Sequence, residues 1–168
     1  MKKIFILILL TIFLTGCGIF NLSNFVMPDD LEFLEVIKEL DTPEKICAYM
    51  EENFIYEAHL FYAPDPYTLW KNKKGDCNDF SMFGIFVANF YGYETYQIIM
   101  SFKGIILEHY IGVYKENGKY NYSDLQDYIP INVDTFKEIV LYCADTFKYE
   151  LKNYKVFDYD NNLIEKGK

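Results

Sequence analysis

Apolar positions change their spacing three times along the chain, and each change predicts a different kind of element. Ile4–Leu14 is an apolar run broken only by Thr11 and preceded by Lys2 and Lys3. Its eleven residues suit the core of an export signal, whereas a membrane-spanning helix needs about twenty. Helical spacing follows. Residues 29–40 set Leu31, Leu34, Ile37 and Leu40 on one stripe. Thr42 then caps a second helix, with Pro43 at its first position, Glu44 at the positive dipole end, and Ile46, Tyr49 and Met50 as the buried face. Residues 57–68, with Pro64 and Pro66, read as irregular, and Lys71–Gly75 as a lysine-rich turn. A third helix runs from Asn78 to about Tyr91, with Gly92 as its stop. It carries the stripe Phe80, Phe83, Val87 and Phe90 beside a ridge of small residues, Cys77, Ser81, Gly84 and Ala88. Small side chains let a helix approach its neighbour closely, so this helix is expected at the centre.

The period then becomes two. Tyr96, Ile98 and Met100 alternate along one strand, and Ile105, Leu107, His109, Ile111 and Val113 share a face of the next. Asn117-Gly118 predicts a type I′ turn into a returning strand, Lys119–Asp124. Thr135 and Glu138 frame a capping box that opens a helix to about Thr146. Residues 149–158 and 162–165 read as terminal strands. Helices first and a strand meander afterwards give an α+β domain.

Composition narrows the function. Of 168 residues 51% are hydrophobic, with 16 Tyr and 15 Phe, which is enough for a core and excludes a disordered chain or fibrous repeat. The net charge is −9 and all 16 basic residues are Lys, a poor match to nucleic acid, whose phosphates need clustered cations. Four cysteines and two histidines without a CxxC or paired Cys/His spacing give no structural zinc pattern.

Leu14-Thr15-Gly16-Cys17, directly after the apolar run, resembles the bacterial lipobox. The resemblance implies a signal peptide over 1–16, a diacylated Cys17 as the first mature residue, and a lipid anchor at the extracytoplasmic face of the cell membrane. An uncleaved anchor, or an ordinary signal with an incidental Cys, is the alternative. Residues 17–30 are expected to be a lipidated tether and 31–168 one domain, with no feature calling for more than a monomer.

Cys77 stands just before the third helix, where free N–H groups and the positive dipole end favour a thiolate and can meet a developing oxyanion. His109 lies among aliphatic neighbours and needs a polar partner there. With a two-residue turn at Asn117-Gly118, Glu116 opposes Lys119 and Ile111 opposes Asp124, so Asp124 shares the face of His109 one diagonal step away. A three-residue turn would reverse that parity. Cys77, His109 and Asp124 thus form a candidate nucleophile, base and orienting acid for acyl transfer. The bland alternatives are a buried thiol, a satisfied core histidine and a turn-capping aspartate.

Gly75-Asp76-Cys77-Asn78-Asp79-Phe80-Ser81 resembles the G-x-C-x-D-[YF]-[AS] motif of the transglutaminase-like superfamily, closest to its bacterial cysteine-peptidase branch. The likeness covers about Leu31 to Tyr128 and implies a papain-like fold, with a Cys-bearing central helix packed on an antiparallel sheet. It implies a Cys-His-Asp cysteine enzyme acting on amide bonds in peptide or protein substrates, by hydrolysis or acyl transfer, without metal or cofactor. Tyr110-Ile111 after the His and Leu125-Gln126 after the Asp depart from the family pattern. Asp76-Cys77 with the His109–Lys119 stretch also resembles peptidoglycan endopeptidases of the NlpC/P60 type, whose substrate would be cell-wall peptide, but Asn78-Asp79 replaces their usual Ser-Gly. A non-catalytic binding module of the same fold is the remaining reading.

Gly75 and Asp79 are expected to support the motif, Asp79 by capping backbone N–H groups. Trp70 could line the acyl site, lend its indole N–H to the oxyanion, or sit in the core. Gln97 could reach the site from the strand beside His109. His59 reads as a surface residue, and Cys47 and Cys143 as small core residues, although export would permit a disulfide between them. Tyr56, Tyr62 and Tyr67 could form an exposed cluster for sugar or peptide.

Overall fold

The computed structural model describes residues 21–59 and 64–168; the signal segment, Cys17 and Tyr62 lie outside them. Five α-helices and eight strands are found among the described residues: α1 (Leu31–Glu39), α2 (Pro43–Asn53), β1 (Ile55–Tyr56), α3 (Pro66–Asn72), β2 (Lys74–Gly75), α4 (Cys77–Phe90), β3 (Glu94–Phe102), β4 (His109–Glu116), β5 (Lys119–Asp124), β6 (Asp127–Val133), α5 (Phe136–Phe147), β7 (Leu151–Asp158) and β8 (Leu163–Gly167).

The helix starts follow from their caps. Asp30 accepts from the N–H groups of Glu32 and Phe33 at α1, Thr42 from Lys45 at α2, and Thr135 from Glu138 at α5, where Glu138 returns the bond as a full capping box. Gly92, at φ 83°, takes the left-handed conformation that turns the chain out of α4. The α1 stripe is rotated from its expected position. Phe33, Ile37 and Leu40 are buried, while Leu31, in the first turn, is 74% exposed. Phe90, placed by periodicity on the buried stripe of α4, is exposed at its last position.

Six strands form one antiparallel sheet in the order β6-β5-β4-β3-β7-β8. Helix α4 and the N-terminal helices cover one face, where Phe33, Ile46, Phe80, Phe83 and Tyr114 form a core. Helix α5 covers the other over Ile98, Met100, Ile111, Val113 and Tyr122. Because both faces are covered, the interior of β3 is buried on each side, and Gln97 and Ile99 are as hidden as Ile98 and Met100. The small ridge of α4 does bring helix and sheet close: a Cβ on Gly84 would lie 2.3 Å from the Tyr114 hydroxyl, which itself is 2.7 Å from Ser123 Oγ. Asn117 and Gly118 both have positive φ, and Glu116 pairs with Lys119 and Gly112 with Ser123, the register of a two-residue turn.

Three expectations are corrected. Ile105 and Leu107 belong to an exposed turn and not to β4, which begins at His109. The irregular segment contains a cap: Asp65 accepts from Thr68 and Pro66 opens α3. Residues 21–30, expected as tether, pack on the domain, with Leu22 buried and the Phe25 ring 5.0 Å from Phe86. Cys47 and Cys143 are small core residues as expected, in the cores on opposite faces of the sheet, and both are free thiols.

Candidate active site

Asp76 ends the approach to α4 and caps it, its Oδ1 accepting from the N–H groups of Asn78 and Asp79 at 2.9 and 3.4 Å. Asp79 reaches back to accept from the Asp76 N–H at 2.8 Å. This reciprocal box holds Cys77 at the first position of the helix. Gly75 is required by the close approach: a Cβ there would meet Asp79 Oδ2 at 2.7 Å and Leu69 Cδ1 at 2.8 Å.

On the sheet, His109 Nε2 donates to Asp124 Oδ1 at 2.9 Å, and both side chains are mostly buried. Asp124 carries the parity of Tyr122, on the face covered by α5, and so does His109 with Ile111 and Val113. The imidazole reaches the cleft because it opens β4, at the end of the sheet. Phe147 holds the ring edge-on, with centroids 5.1 Å apart. Since Nε2 is engaged by the carboxylate, Nδ1 is the nitrogen left for the sulfur. Burial alone would lower the His109 pKa; the hydrogen bonds to Asp124 and to the Cys77 sulfur, with their charges, outweigh it and raise the pKa to about 9. The other oxygen of Asp124 faces Cys143 Sγ at 4.0 Å, and burial together with the Asp124 charge pushes that thiol far up, keeping it protonated.

Cys77 and His109 line one cleft of about 660 Å³. Its walls come from residues 56–59, the turn between β3 and β4, and the junction of α5 with β7. The first wall is brought there by β1, which pairs in parallel with β2 through Ile55↔Lys74 and Tyr56↔Gly75. That clip places His59 beside the motif, contrary to its reading as a surface residue: its Nε2 lies 2.5 Å from Asp79 Oδ2 and its Nδ1 3.8 Å from Asp76 Oδ2. Burial raises the Asp79 pKa to about 6 against the pull of the Asp76 N–H and His59. Its Oδ1 is buried without a partner. Nothing in the hydrophobic pattern marks His59, because a parallel contact of two residue pairs leaves no periodic signal.

Trp70 lies in the core, the favoured one of its readings, and Gln97 lies beneath the first turn of α4. The Trp70 indole donates to Tyr49 Oη at 2.9 Å in the core. Gln97 donates its amide to Asn78 Oδ1 at 2.9 Å and Ser81 Oγ at 2.7 Å, steadying the first turn of α4 from beneath. Of the tyrosines, Tyr56 lines the cleft, whereas Tyr67 packs on Phe33 and donates to Asp30 at 2.7 Å. Among the described residues two groups lie close enough to share a cation, His109–Asp124–Cys143 and His59–Asp76–Asp79, and in each a carboxylate oxygen already binds an imidazole nitrogen.

Residues 1–17 match the prokaryotic membrane lipoprotein lipid attachment site, which implies lipid-anchored membrane association. No helix among the described residues is long and apolar enough to cross a membrane. No curated protein matches the chain by sequence. Among solved structures the chain is similar to Legionella pneumophila LapG, with a TM-score of 0.51 at 13% identity over 71% of this chain and 70% of that one. The calcium-bound form of LapG gives a TM-score of 0.52 at 13% identity over 79% and 78% of the two chains. Likeness at that identity carries the architecture alone: the protein has a transglutaminase-like, papain-like fold, its Cys-bearing helix packed on an antiparallel sheet.

Proposed function

We propose that this protein is an extracytoplasmic, membrane-anchored cysteine enzyme that cleaves amide bonds in peptides or proteins, with Cys77 as nucleophile, His109 as base and then acid, and Asp124 as the orienting carboxylate. The observation that carries this reading is the 2.9 Å bond from His109 Nε2 to Asp124 Oδ1 in a ring that shares its cleft with the Cys77 sulfur. Asp124 fixes the tautomer, so Nδ1 takes the thiol proton. The sulfur attacks the substrate carbonyl, and His109 returns the proton to the departing amine, leaving a thioester on Cys77. Water, or an amine, then attacks the thioester while His109 accepts its proton, and the thiol is regenerated. The cap oxygen of Asp76 occupies the N–H groups of Asn78 and Asp79, which leaves that of Cys77 itself to meet the oxyanion.

Thiol reactivity tests the assignment. Iodoacetamide should label Cys77 quickly near neutral pH, and Asp124→Asn should slow the labelling. Labelling at the rate of an ordinary thiol, indifferent to Asp124, would overturn it.

A further inference from the structure

Three consecutive aliphatic side chains stand in solvent at the mouth of the cleft: Ile105 is 42% exposed, Ile106 98% and Leu107 65%. They occupy the turn between β3 and β4, immediately before His109. In the same cleft Phe102, Phe147 and Tyr149 form a continuous aromatic wall, with ring centroids 5.7 Å apart for Phe102 and Tyr149, 6.2 Å for Phe102 and Phe147, and 6.4 Å for Phe147 and Tyr149. All six line the same cleft as Cys77 and His109. Exposed aliphatics contribute nothing to the core and leave a hydration penalty that a bound apolar group would relieve. Among the described residues, the charged groups on the lining are Asp76, Glu108 and Lys152, besides the two histidines. An acidic side chain finds little to pair with there.

We infer that this aliphatic turn and aromatic wall form a specificity subsite for a large apolar side chain, of leucine or phenylalanine size, beside the amide bond that is cleaved. The inference rests on the proposed cysteine chemistry and names its substrate class: extended peptides with a bulky apolar residue next to the scissile bond. The cleft is continuous with the reacting groups, and its volume of about 660 Å³ lies within the range of ligand sites. Cell-wall peptides, whose side chains are small or charged, fill such a wall poorly.

The full lipidated chain, held in nanodiscs, is given quenched fluorogenic peptides in which each position in turn is Gly, Ala, Leu, Phe, Asp or Lys. Mass spectrometry reads the bond cut, and Cys77→Ala defines the thiol-dependent signal. The expected result is a kcat/KM about 10-fold or more higher for Leu or Phe than for Gly or Asp beside the cut bond. Ile106→Ser with Leu107→Ser should move the Phe-to-Gly ratio toward one. A flat profile, a preference for Gly or Asp, or a ratio unmoved by the turn variants overturns the subsite and leaves the chemistry standing. If no cleavage depends on Cys77 and iodoacetamide labels it as an ordinary thiol, the proposed chemistry fails, and the subsite with it.

Discussion

Asp124 is held from two sides, by the imidazole on Oδ1 and by the protonated Cys143 thiol facing Oδ2. Replacing it with Asn keeps the shape but presents an amide that can no longer stabilise an imidazolium. The expected loss in turnover is about 10²–10⁴-fold, measured as kcat on a peptide substrate. His59 has a different role, as the polar partner of a carboxylate whose side chain has no solvent exposure. His59→Ala should therefore reduce stability by about 1–3 kcal/mol in urea unfolding, because Asp79 then keeps only the Asp76 N–H. Much of the residue-level geometry was legible, because a heptapeptide motif marks Cys77 and a two-residue turn sets the parity of His109 and Asp124. His59 was not, since its approach depends on a contact between segments 20 residues apart. Gln126, which departs from the family pattern, donates to the Phe54 carbonyl at 2.9 Å and so ties the turn after Asp124 to the end of α2.

Among the elements, α4 depends on close contact with β4. Gly84→Ala would press a methyl group onto a Tyr114 hydroxyl that is fully buried and bonded to Ser123. Overpacking of this kind costs about 1–3 kcal/mol, and removing the hydroxyl in a Gly84→Ala, Tyr114→Phe double variant should restore much of it, as a double-mutant cycle in urea would show. The helices were readable wherever a cap preceded an apolar stripe. Helix α3 was obscured because Pro66 suggested a break, although a proline behind Asp65 fits a first helical position. Strand β6 was hidden in the same way by Pro130. It lies at the sheet edge, where a missing N–H is tolerated. The aliphatic residues before His109 alternate like a strand, and only Gly104, at φ 76°, signals the turn that takes them out of the sheet.

At the scale of the molecule, the raised pKa of His109 ties stability to pH. The folded value, about 9, exceeds the ordinary histidine value of 6.5, so the folded chain holds this proton more tightly than the unfolded one. The resulting stabilisation is complete below about pH 6.5 and is lost as pH rises through about 9. Denaturation midpoints of the wild type should fall across that window, and the fall should be smaller in His109→Gln. Asp79, raised from 3.8 to about 6, has the same sign at lower pH: its contribution to stability declines as pH climbs between those values.

Leu22, the first buried residue among those described, lies only five positions after Cys17. Even fully stretched, five residues reach about 18 Å, less than the thickness of a bilayer's hydrocarbon core. A chain moored by acyl groups at Cys17 therefore keeps its folded body close against the headgroups. For the proposed enzyme, encounter becomes nearly two-dimensional: polypeptides that emerge from the same membrane, or that are displayed just above it, meet it far more often than those drifting in the surrounding fluid.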